Sequence, residues 1–201
     1  DLHGLPMTRT FTFTVQEGLK GIYTLGTSGD FRNFDEAINA LYLRGVSGNV
    51  VFELTDASYE LGGLGQSRIP EFRSRITGVG PDATITFRPN KLRSLSSDPI
   101  NILLSSPDGY GLRFGQALET GNYKVPAVNI LVDADLRREF ATSEGYIVFD
   151  GGSRKNIKFS MQQPNHIAFS APIYMGEGSK NITIRNCRIM GGNNISCDLP
   201  T

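Results

Sequence analysis

Histidine and cysteine are scarce in this chain of 201 residues, which has two of each. His3 and His166 show no zinc-like spacing to one another or to Cys187 and Cys197, so the usual structural metal sites are not indicated. Neither cysteine has a histidine beside it, and a thiol without such help makes a poor nucleophile. An excess of charge is missing too. Twenty basic and twenty acidic side chains cancel, which removes the long-range field that would steer the chain to nucleic acid or to an anionic membrane. No run of about 18 apolar residues occurs, so membrane insertion is not expected, and the first residues lack the basic and then apolar layout of a signal peptide. Helical periodicity is the last shortage. Only Phe34 to Leu43 carries it, while 23 glycines and 10 prolines imply many turns and an all-β class with a minor helix.

What is present fits a soluble chain. At 39% hydrophobic and 20% charged residues, it can bury a core as one domain or one elongated module. Thr10 to Val15, TFTFTV, alternates as an exposed strand does. Ile22 to Leu25 is followed by the turn cluster GTSGD and then a helix over 33–44. Asn33 caps that helix, and Glu36, three residues on, is placed to complete a capping box. Phe34, Ala37, Ile38 and Leu41 form its apolar face, and Gly45 supplies its stop. A helix this short must lay its apolar face on something. The strand that follows, NVVFEL at Asn49 to Leu54, is almost wholly apolar and reads as covered on both sides. The helix is therefore expected to act as a lid over the first of several stacked coils.

Three further strands are expected at Ala83 to Arg88, Ile100 to Leu104 and Val128 to Val132. The polar stretches Gly62 to Gly80, Pro89 to Pro99 and Ser105 to Pro126 read as insertions projecting between coils. In the last third, Ser153 to Phe159 and Ser179 to Ile184 share a serine, K-N-I and a closing apolar residue. Asn156 and Asn181 are 25 positions apart, a spacing suited to one coil. On that reading the two asparagines stack in register as structural residues.

The phrases YIVFDGGSRKNIKF and APIYMGEGSKNITIRNCRIMGG resemble coils of right-handed parallel β-helix proteins of the pectate-lyase-like superfamily. SGDFRNFDEAINAL is similar to the opening of the same superfamily, and the longer stretch through NVVFEL resembles large secreted surface proteins of the Bacteroidetes and Chlorobi type. The resemblance covers about a third of the chain. It implies an all-β fold, a right-handed single-stranded parallel β-helix (β-solenoid) with an N-terminal capping α-helix. An extension would occupy 1–20 and the β-helix 21–201, with coils over 49–201 and a continuation beyond. It also implies an extracellular or cell-surface location.

The resemblance leaves the activity open. Lyases of the superfamily use calcium held by clustered carboxylates with a basic residue as proton acceptor. The nearest match is Asp133 and Asp135, on one face of an expected strand, with Asp150 and either Arg137 or Arg138. Such a pair more often forms a solvated edge. The hydrolase motifs N-T-D, D-D, G-H-G and R-I-K do not occur, and VFDGG only echoes the esterase motif. LGGLGQS at Leu61 to Ser67 lacks the lysine of a phosphate loop. Asn181 and Asn194 begin glycosylation-like triplets but read as ladder and turn residues. Cys187 and Cys197 could close a small disulfide loop or stand as separate thiols. The expectation is a non-enzymatic structural or adhesive module, without a cofactor, whose partners are surface proteins or polysaccharide. The alternatives are a polysaccharide lyase or glycoside hydrolase, and a surface-layer or filament subunit that self-associates through an open last coil.

Overall fold

The computed structural model describes residues 16–62, 69–72, 75–105, 110–115, 144–162, 171–176, 178–191 and 196–198. The strands expected at Thr10 to Val15 and Val128 to Val132 lie outside these residues. In chain order the elements are β1 (Leu19–Leu25), α1 (Phe34–Arg44), β2 (Val46–Leu54), β3 (Ser58–Leu61), β4 (Glu71–Phe72), β5 (Ile85–Pro89), α2 (Lys91–Leu95), β6 (Ile100–Leu104), β7 (Tyr110–Phe114), β8 (Glu144–Asp150), β9 (Ile157–Met161), β10 (Ala171–Met175), β11 (Lys180–Arg185), β12 (Cys187–Met190) and β13 (Ser196–Asp198).

These strands form three open sheets. The first has the order β1-β2-β5-β8-β11, the second β3-β6-β9-β12-β13 and the third β4-β7-β10. Every pairing is parallel except that of β12 with β13. The chain visits the first, second and third sheets in that order three times and begins a fourth pass with β11 and β12. From β2 to β12 each strand therefore pairs with strands one pass away, whereas β1 pairs with β2 and β13 with β12, their neighbours in the sequence of strands.

The inward side chains of the first sheet form ladders. Val50, Ile85, Ile147 and Ile182 align, as do Phe52, Phe87, Phe149 and Ile184. The rings of Phe52 and Phe87 lie 5.0 Å apart and those of Phe87 and Phe149 4.6 Å apart, both stacked. Rings from the other elements meet the same column: Phe34 of α1 stacks on Phe87, Phe72 of β4 approaches Phe87, and Phe159 of β9 meets Phe149 edge-on. Aromatic pairs of this kind add roughly 0.5–1.5 kcal/mol each beyond the area they bury. β2 is covered fully on its inner face only. Val51 and Glu53 point outward and are half-buried, so the apolar run reflects a β-branched outer residue rather than a second buried face.

α1 packs its apolar face on the first strands of the second and third sheets. Its buried face is Phe34, Ala37, Ile38 and Leu41, as its spacing implies. Phe34 meets Tyr59 of β3 at 5.3 Å, and the Tyr42 hydroxyl donates to the Glu71 carbonyl of β4 at 3.3 Å. The helix thus touches the first strand of both the second and the third sheet. The Asn33 side chain accepts from the Glu36 amide at 3.0 Å. The other half of the expected box differs: Glu36 Oε2 accepts from the Arg32 amide at 2.8 Å, one residue before the cap, because its Oε1 is drawn to the Arg32 guanidinium at 2.7 Å. Gly45 ends the helix at φ 67°, and a Cβ there would stand 2.6 Å from the Thr77 carbonyl. Position 45 therefore favours glycine for two separate reasons.

The polar stretches are not plain insertions. They contain β4, α2 and β7, and each of the two strands supplies a ring, Phe72 and Phe114, to the core. The repeat also differs from expectation. Asn156 immediately precedes β9 of the second sheet, whereas Asn181 lies within β11 of the first, so the two do not stack. In register, Ile157-Lys158-Phe159 matches Cys187-Arg188-Ile189, and an asparagine, Asn156 or Asn186, immediately precedes each. The spacing of 25 joined two sheets that use similar strand sequences.

Candidate functional site

Asp150 ends β8 at the corner between the first and second sheets. Its Oδ1 accepts from the Gly152 amide at 2.9 Å and from Asn186 Nδ2 at 3.1 Å. Its Oδ2 faces Arg185 Nε and Nη2, each at 2.8 Å. Burial, the largest single influence, pushes the Asp150 carboxyl up. The hydrogen bonds from Gly152, Asn186 and Arg185 outweigh it and hold the group below the usual carboxylate range. The chain is tight here, since a Cβ on Gly151 would fall on the Asn186 carbonyl. With both oxygens committed to neighbouring turns, the carboxylate serves as a corner brace.

The residues grouped with Asp150 by sequence, Asp133, Asp135 and Arg137, lie outside the described residues. Among the described residues, no group of three or more His, Cys, Asp or Glu side chains could hold a metal ion. Cys187 is a buried free thiol, and burial pushes it up to about 12. Cys197 sits opposite Ile189 in the β12–β13 register, and its side chain lies outside the described residues.

Asn156, by contrast, holds a clear structural position. It is the buried polar residue of the described core, and its Nδ2 donates to the Arg93 carbonyl at 2.7 Å and the Ser96 carbonyl at 3.1 Å. It therefore ties the C-terminal end of α2 to the turn before β9. Asn181 is exposed at φ 54°, and Asn186 has φ 52°. Asparagine tolerates this left-handed conformation better than most residues. Asn186 was not singled out by sequence, although the parallel between NIKF and NCRI carried the signal.

A cleft of about 430 Å³ lies between α1 and the third sheet. Asp35, Asn39 and Tyr42 line it from α1, Ile69 and Pro70 from the approach to β4, Glu71 from β4 itself, and Arg113 from β7. Arg113 is well covered: its Nη1 stands 3.5 Å from Glu71 Oε1, its Nη2 donates to the Tyr110 carbonyl at 3.3 Å, and its guanidinium lies 5.9 Å from the Tyr110 ring centre. The walls mix both charges with amide and phenol groups, which suits hydrogen bonding to a polar molecule. None of these lining residues was anticipated, because they meet only when α1 is laid across β4 and β7. Compared with protein-family models, with curated proteins and with solved structures, the chain matches none.

Proposed function

We propose that the chain is a right-handed parallel β-helix region, related to the pectate-lyase-like superfamily, that serves as a non-enzymatic scaffold or adhesive module of a secreted or cell-surface protein. The observation that carries this reading is the repeated passage through three parallel sheets with in-register core ladders. Such a stack is stiff along its length and holds its turns at fixed intervals, which favours presenting surfaces to partners. Asp150 supports the same reading, because both of its oxygens are held by neighbouring turns.

The test is incubation of the chain with pectic and alginate-like polymers, with and without calcium, followed by assay for unsaturated and reducing ends. The scaffold yields no product above the blank. Turnover that depends on the chain and disappears in Asp135→Ala would replace the scaffold by the lyase or hydrolase reading.

A further inference from the structure

The outer surface arranges charge in two opposite ways. On the first sheet, unlike charges face each other across neighbouring strands: Glu53 and Arg88 at 2.7 Å, Asp150 and Arg185 at 2.8 Å. On the second sheet, the register sets Lys158 of β9 beside Arg188 of β12. Strands so paired are about 4.8 Å apart, and like charges directly opposite one another destabilise a sheet. Ile157 and Phe159 are buried, so Lys158 points outward. Cys187 is buried, so Arg188 does the same.

Neither cation makes an ion pair or a side-chain hydrogen bond among the described residues. The register neighbour of Lys158 on its other side is the neutral Asn101. Asp198 of β13 is the acid placed opposite Arg188 by register. Arg154 and Lys155, in the turn leading to β9, add two more cations, and Arg154 Nη1 donates to the Leu95 carbonyl at 2.7 Å.

We propose that the outer face of β9 and β12, with the Arg154–Lys155 turn, docks an anionic polysaccharide bearing sulfate or phosphate esters. Two cations one strand spacing apart on a rigid sheet are neutralised together by a polymer that carries charge on successive units. The outward residues of these strands, Lys158, Ser160, Arg188 and Met190, include no aromatic ring on which nucleic-acid bases could stack. They also include no strongly exposed apolar side chain to enter a membrane. The proposal does not rest on the scaffold reading, since an enzyme could carry the same surface; binding and turnover are read separately.

Binding of the full chain to dextran sulfate and to uncharged dextran tests it. The chain should bind the sulfated polymer only, with affinity falling as salt rises. Lys158→Gln with Arg188→Gln should weaken binding by about tenfold or more, while Glu53→Gln with Arg88→Gln leaves it unchanged. Lys158→Glu turns the pair into a complementary one, so Tm should rise as binding falls, a combination that misfolding does not produce. Asp198→Asn should strengthen binding. Failure to bind dextran sulfate at low salt, equal binding by the Gln variants, or a preference for anionic vesicles would overturn the proposal.

Discussion

Among the described residues, Phe87 is the one on which the most rings converge. Phe34, Phe52, Phe72 and Phe149 lie around it with centroid distances of 4.6–6.4 Å, and it is fully buried. Phe87→Ala should cost about 3–5 kcal/mol of stability, read from urea unfolding, with Phe87→Leu losing clearly less. The alternation in ATITFR shows Phe87 to be inward, but its neighbours are 35 and 62 positions away, and no local pattern announces them. Cys187 makes a second prediction at this scale. In a Cys197→Ser background, its alkylation should be slow in the folded chain and rapid after denaturation. Because its folded value is raised, its contribution is complete below about pH 8.5–9, where an ordinary thiol ionises. It declines above that range, as the unfolded chain loses its proton first and the folded thiol holds on to about pH 12.

Among the elements, α1 was the most legible because its signals are local: a cap, an apolar face at three- and four-residue steps, and a terminal glycine. Strands β5 and β6 were visible for the same reason, as short apolar alternations. β4 has two residues, too few for any period, and α2 leaves Leu92 and Leu95 exposed instead of burying a face. α2 depends instead on Asn156, a residue 60 positions or more from the carbonyls it serves. Asn156→Ala should leave the Arg93 and Ser96 carbonyls without that donor, at about 1–3 kcal/mol for each one kept from water. Hydrogen exchange in the α2 turn should accelerate, while the amides of β2 and β5 stay protected. The cleft was illegible for the opposite reason to α1, since its walls come from α1 and from two successive passes of the chain.

At the scale of the molecule, three carboxylates among the described residues bear on acid stability. The Thr24 amide and hydroxyl hold Asp30 low, the Arg32 amide and guanidinium hold Glu36 low, and for Asp150 the hydrogen bonds at the corner overcome burial. A folded value below the unfolded one means that protonation favours unfolding. The stabilising contribution is therefore complete above about pH 5 and is lost as pH falls through about 4 and below. Thermal melts from pH 7 to pH 2.5 check this, and Asp150→Asn should flatten the acid limb. The repeat was misread at this same scale, because similar strand phrases recur in different sheets and only the pairing says which are equivalent. One consequence of that pairing concerns growth of the chain. Phe52 and Phe87 are 35 residues apart, Phe87 and Phe149 are 62 apart, and yet the second pair of rings stacks the closer. The register between strands, and not the length of chain that joins them, thus sets the spacing of the rings. Two chains can therefore differ in length between strands and still build the same column of rings.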